Sequence, residues 1–183
     1  MAYQPRVEPR DLAGAPPDIQ AASADHERHV ARLTNMKRTL LHSLPAFDAL
    51  MTWYPLRDQV AEFLGERPTL IFAHAISEHT DCLICSTFFR RILIQRGEDP
   101  DALTLSGEEQ ALVELGRLLA VPPHEIPDPL YARVARNRTA EEMVTLVTFG
   151  AIMLATNVFN NVLRVTLDQY LESFKRGASH GAV

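Results

Sequence analysis

The chain has 183 residues, 46% of them hydrophobic, and a formal net charge of −5. That length buries a core without disulfide staples. The acidic balance, with no dense basic run, argues against nucleic acid or an anionic membrane as a partner. No continuous apolar run reaches the roughly 20 residues that span a bilayer. The N-terminus lacks the apolar stretch of a secretory signal, so the expected setting is cytoplasmic, with reduced thiols.

Residues 1–22 carry four prolines and little periodicity, which predicts an extended arm suited to lie against a neighbouring subunit. A helical domain is expected over 23–183. Its first helix opens at an N-cap on Ser23 or Asp25 and places Val30, Leu33, Met36 or Lys37, Leu40 and Leu41 on one face. A second helical stretch is interrupted at Pro55 and stops at Gly65. The next starts with Pro68 in its first turn and is apolar on most sides, as a buried helix is. A turn at Thr80 and Asp81, with Asp81 as N-cap, leads into a helix that Gly97 ends. Ser106 with Glu109, and Thr139 with Glu142, form capping boxes for two further helices. Between them a proline-rich segment holds a short helix from about Pro129, and the last helix is expected to bend near Gly150. Apolar residues follow helical registers rather than alternation throughout, so the class is all-α.

The only two cysteines, Cys82 and Cys85, are three residues apart at the start of the central helix. Free first-turn N–H groups and the positive end of the helix dipole favour a thiolate there. The spacing lets one sulfur resolve an oxidised form of the other into an intramolecular disulfide. Glu78 and His79 just upstream, and His74 one turn further back, are candidate proton carriers. The competing readings are plain ones. Small buried cysteines, a core histidine at His74, and solvated groups at Glu78 and His79 need no function. A structural zinc would need four ligands, and no second cysteine pair or histidine pair supplies them. No cofactor or metal is implied.

The order of these features resembles the alkylhydroperoxidase D-like and carboxymuconolactone decarboxylase-like family. A buried helix, a turn, C-x-x-C opening a second helix, the Gly97 stop and a capped helix follow one another, and the resemblance covers about 46–165. It implies an all-α alkylhydroperoxidase D-like domain that assembles as a trimer or hexamer. It also implies a peroxide or disulfide substrate and an external dithiol reductant. The family's peroxidase motif has a glutamate twelve residues before the first cysteine and a histidine four after the second. Here those positions hold Leu70 and Phe89. In relatives the second cysteine attacks, which corresponds to Cys85, whereas the dipole argument favours Cys82. Glu78, His79 or His74 would have to replace the relay.

Asn157, Asn160 and Asn161 form a polar stripe on the last long helix, expected to be a structural network or oligomer contact before a ligand site. Trp53, Tyr54 and Phe47 are core candidates that could also roof a pocket beside the cysteines. The reading is a thiol-dependent oxidoreductase or peroxidase. Its alternatives are a carboxymuconolactone decarboxylase-like lyase and a non-catalytic oligomeric ligand-binding relative.

Overall fold

A computed structural model of the chain describes residues 4–177, and those residues are helical with no strand among them. The first three residues of the expected arm and 178–183 at the other end lie outside the described residues. Helix α1 spans Pro17–His29, starting earlier than expected. Pro17 sits at its first position with Asp18 in the first turn, a favourable start for a helix. Ser23 and Asp25 therefore lie inside the helix rather than capping it. Ile19, Ser23 and His26 form its buried face. The single helix expected through Leu41 is two, because Thr34 accepts a hydrogen bond from Lys37 N and caps a new helix, α2 (Asn35–Leu40).

Residues 4–16 precede α1 and lie against this chain's own α2 and the end of the last helix. Arg10 N donates to Arg38 O at 3.2 Å, Arg38 Nε returns a bond to Arg10 O at 3.0 Å, and Arg6 N donates to Leu163 O at 2.9 Å. Serine-capped α3 (Leu44–Met51) passes almost directly into α4 (Trp53–Leu64). Pro55 interrupts nothing: it falls in the first turn of α4, where its missing N–H is not needed. Gly65, at φ +86°, supplies the left-handed step between α4 and α5.

Helix α5 (Glu66–His79) is the axis of the fold. Every residue from Thr69 to Ser77 is buried, and α4, α6 (Leu83–Gln95), α7 (Gly107–Leu119) and α9 (Ala140–Leu163) surround it. Both expected capping boxes are present, starting α7 and α9, and α8 (Asp128–Ala135) packs on α7. Two glycines permit close approach. A Cβ on Gly116 would meet Phe72 O at 3.1 Å, and one on Gly150 would meet Leu119 Cδ1 at 2.9 Å and Phe72 Cζ at 3.0 Å. Gly150 is thus a contact point between helices.

Helix α9 corrects one expectation. Its 24 residues are long and apolar enough, by length and composition, to cross a membrane. One face, with Met143, Leu146, Phe149 and Met153, is core; Val144, Val147, Ala151, Ala155, Val158 and Val162 lie outward. The chain then turns back through a short 3-10 segment, Gln169–Phe174, against α6.

Candidate functional site

The turn between α5 and α6 is set by hydrogen bonds at the end of α5. Cys82 N donates to Ser77 O at 3.1 Å and Asp81 N to Glu78 O at 3.3 Å, with Asp81 left-handed at φ 49°. This is a Schellman-type closure, and Asp tolerates its left-handed position better than most side chains. Asp81 consequently ends α5 instead of capping α6. The N-cap of α6 is Cys82 itself.

Three asparagines of α9 hold this turn from beneath. Asn161 Nδ2 donates to Thr80 O at 2.8 Å, and Asn157 Nδ2 to Thr80 Oγ1 at 2.9 Å and Ser77 Oγ at 3.4 Å. Asn160, 2% exposed, points Nδ2 at sulfur on three sides: Cys85 Sγ at 3.4 Å, Met36 Sδ at 3.5 Å and Cys82 Sγ at 3.8 Å. The stripe is a structural network, as its spacing suggested. One member, Asn160, is also the neutral donor beside both thiols.

The two cysteines are free, buried and unequal. The Cys85 thiol donates to Cys82 and thereby favours a Cys82 thiolate, lowering its pKa against the opposing effect of burial. The amides of Cys85 and Ile84 and the side chain of Asn160 act in the same direction. The Cys82 side chain makes no cap hydrogen bond to the first turn of α6. Cys85 is pushed well above the ordinary thiol range, first by the proton it holds for Cys82 and then by burial. Access runs the other way. Cys82 is fully covered, whereas Cys85 lines a cavity of about 610 Å³. Charge is favoured on one sulfur and solvent reaches the other.

The cavity lies where α2, α3 and α4 meet α6, α9 and the C-terminal 3-10 segment. Trp53, Phe88, Phe89, Met153 and Leu171 give it an apolar wall, and Arg32, Lys37, Tyr54, Arg91 and Asp168 supply polar groups. Trp53 and Tyr54 thus do line the space beside the cysteines. Phe47 is instead buried in a separate cluster, its ring edge-on to His26 at 5.4 Å between centroids.

The remaining candidates face elsewhere. Glu78 Oε2 pairs with Arg176 Nη2 at 2.7 Å, and His79 is exposed at the end of α5. His74 is buried, with Nδ1 unpartnered. Burial lowers its pKa to about 4, helped by Arg90 and Arg176 and opposed by Asp101. Leu70 and Phe89, at the positions of the family's relay, are 5% and 2% exposed and apolar, and Phe89 lies in the cavity wall beside Cys85. Among the described residues no group of three or more histidine, cysteine or acidic side chains converges as a metal site.

Sequence reasoning missed Lys37 and Asp168 as cavity residues and Asn160 as a thiol contact. A lysine on an apolar helical face was the one signal available for Lys37. Nothing local marks Asp168.

No family model matches the sequence, and no curated protein matches it. Solved structures do share its fold. The apo crystal structure of the debrominase Bmp8 is similar at a TM-score of 0.71 and 14% identity, over 94% of this chain and 97% of that one. A cysteine-to-alanine variant of Bmp8 in complex with 2,3,4-tribromopyrrole matches at 0.70 and 14%, over 92% and 94%. An uncharacterized peroxidase-related protein from Silicibacter sp. TM1040 matches at 0.70 and 14%, over 96% and 100%. The fold is therefore the alkylhydroperoxidase D-like helical fold that the order of motifs resembled.

Proposed function

We propose that the protein is a thiol-dependent oxidoreductase in which Cys82 and Cys85 cycle between dithiol and disulfide as they reduce a peroxide. The observation that carries this reading is the division of labour between the sulfurs: Cys85 opens on the cavity while its proton is held against a Cys82 thiolate. Cys82 takes the proton of Cys85 as the Cys85 sulfur attacks the peroxide oxygen. The O–O bond breaks, giving a Cys85 sulfenic acid and an alkoxide. The alkoxide recovers the proton from Cys82 and leaves as the alcohol. The Cys82 thiolate then displaces hydroxide from the sulfenic sulfur and the disulfide forms. An external dithiol returns two electrons and two protons to the pair. Cys82, with Asn160 steadying both sulfurs, fills the role expected of Glu78, His79 or His74.

The experiment is peroxide oxidation of the reduced protein, followed by mass spectrometry and by thiol titration across pH. The expected product is an intramolecular disulfide, formed with a half-maximal rate below the ordinary thiol pKa of about 8.5. Cys82→Ser slows oxidation of Cys85 by about 10²-fold or more, the scale of a lost general base, and stops it at the sulfenic acid. Thiols that resist peroxide at every pH would leave the non-catalytic ligand-binding alternative. A lyase activity that survives replacement of both cysteines would support the decarboxylase-like one.

A second reading has its own support in the debrominase whose fold this chain shares. The cavity wall is aromatic, and an aryl bromide could replace the peroxide as oxidant. The Cys85 thiolate would take bromine from carbon, the ring carbanion would accept a proton, and Cys82 would displace bromide from sulfur. Bromide release from a bromoarene, with disulfide formed in equal amount, distinguishes this reaction.

Self-association belongs to the same proposal. The outward stripe on α9 from Val144 to Val162 is uncharged and apolar but for Thr148, and a second copy of the chain is the occupant it suits. Light scattering should give a trimer or hexamer, and Val158→Glu should reduce it to the monomer. A monomeric wild type would remove this part of the proposal.

A further inference from the structure

Two charged groups in the cavity wall lack the partners their burial calls for. Lys37 is 4% exposed; its Nζ donates to Arg32 O at 2.7 Å and stands 5.0 Å from the centre of the Tyr54 ring. An ammonium has three donors, and this one uses a single carbonyl. Asp168 Oδ1 accepts from Asn35 N at 3.0 Å, but its Oδ2 is buried without a hydrogen-bond partner. Arg32, Tyr54, Lys37 and Asp168 all line the same cavity, and Lys37 and Asp168 influence each other electrostatically without closing a direct ion pair. Buried polar groups left open in this way favour a ligand that completes them.

The pair selects the ligand's polar group. A carboxylate would satisfy Lys37 and be repelled by Asp168, and an ammonium would meet the reverse problem with Arg32 and Arg91 also in the wall. A hydroxyl is the smallest group that accepts from Lys37 and donates to Asp168 at once. The rest of the wall selects the ligand's body, since Trp53, Phe88, Phe89 and Met153 offer flat and polarisable surface. The volume of about 610 Å³ is that of a small organic ligand.

We propose that the cavity beside Cys85 recognises small aromatic alcohols of the phenol class, the hydroxyl bridging Lys37 Nζ and Asp168 Oδ2 and the ring lying against Trp53 and Phe88. The inference rests on and deepens the dithiol reading: the hydroxyaryl group is the part by which a substrate that carries a reducible O–O or C–Br bond would be held beside Cys85. Binding itself requires no thiol chemistry.

Trp53 is the only tryptophan in the chain, so its fluorescence reports the cavity directly. Reduced full-length protein is titrated with 4-tert-butylphenol, with its methyl ether, which keeps the acceptor and loses the donor, and with tert-butylbenzene, which has neither. The phenol should quench saturably and bind at least tenfold more tightly than either analogue. Asp168→Asn keeps an oxygen for Asn35 N and loses the acceptor for the hydroxyl; Lys37→Met keeps the stem and loses the donor. Asp168→Asn should reduce the preference for phenol over ether by at least tenfold, and Lys37→Met the preference for phenol over tert-butylbenzene by at least tenfold, with circular dichroism unchanged. If a variant does not fold, the ratio measured on the wild type decides. Equal affinity for phenol and ether, tert-butylbenzene binding as well as the phenol, or no saturable change overturns the proposal. Phenol binding by a protein whose thiols ignore peroxide would retire the dithiol reading alone. Rapid peroxide oxidation without phenol preference would retire this one alone.

Discussion

Two hydrophobic clusters of different size meet at the cavity. The larger one runs from Val60 through α5, α6, α7 and α9 and includes both cysteines. The smaller one has five buried residues, Ala15, Ile19, Leu40, Leu41 and Phe47, contributed by the segment before α1 and by α1–α3. Met36 and Phe159 pack against both. The larger cluster fixes the thiols and the asparagine network, while the smaller one carries Lys37 into the cavity wall. The two sides of the cavity, Cys85 on one and Lys37 on the other, are therefore held by different parts of the core, and they can be perturbed separately.

The largest expected effect tests that separation. Phe149 is fully buried between α4 and α5, and Phe149→Ala should lower the unfolding free energy by about 3–5 kcal/mol. Phe47→Ala should cost less than that, because its cluster borders an open cavity into which side chains can relax. It should also change Trp53 emission more than it changes the oxidation rate of the cysteines. Denaturant titration of both variants checks this, and equal costs with equal thiol effects would mean one indivisible core.

Acid sharpens the comparison, because each region has one buried histidine, His26 edge-on to Phe47 beside the smaller cluster and His74 on α5. Burial lowers His26 and His74 to about 4, with Lys37 adding to the effect at His26 and Arg90 at His74. Unfolded, both would titrate near 6.5. Above that pH both are neutral in either state, and their full contribution to stability is present. As pH falls from 6.5 towards 4 the unfolded chain takes up protons that the folded one refuses, so stability declines. Melting temperature should drop over this window. His74→Gln should flatten the part belonging to the larger cluster and His26→Gln the part belonging to the smaller. A profile unchanged by either would show that other groups govern the acid limb.

The smallest effect is at the seam. Asn35 joins α2 to the C-terminal segment, through its backbone N to Asp168 and through Nδ2 to Thr166 O at 3.2 Å. Asn35→Ala removes only the side-chain bonds and should cost about 1 kcal/mol. It should raise the accessibility of Trp53 to acrylamide while leaving peroxide oxidation unchanged. A loss of thiol reactivity would couple the two regions more tightly than their packing implies.

The parts of this structure legible in the sequence were the local ones. The two capping boxes need only residues three apart, and the helix stop at Gly97 needs only one. The C-x-x-C at the head of α6 is a spacing as well. Errors arose where one residue type serves two purposes. The prolines before residue 18 suggested extended chain, yet Pro17 with Asp18 begins α1. Asp81 is as good a left-handed helix end as it is an N-cap, and the hydrogen bond from Cys82 N to Ser77 O decides for the former. The register from Val30 to Leu41 is continuous even though Thr34 starts a second helix within it. The asparagine stripe showed a polar face without showing that sulfur lay opposite. Lys37 and Asp168 are 131 positions apart, and no pattern along the chain joins them.

That separation bears on synthesis. A ribosome delivers α5, α6 and their turn well before Asn160, and Asn160 before Asp168 and the 3-10 segment that finishes the cavity. Arg6, made long before Leu163, has no carbonyl to bond until that residue exists. The emerging chain therefore passes through a stage in which both cysteines have been made and neither the amide donor beside them nor the last wall of the cavity is present. At that stage the thiols lack the cover they have in the folded chain, and completion of α9 and the turn after it is what supplies that cover.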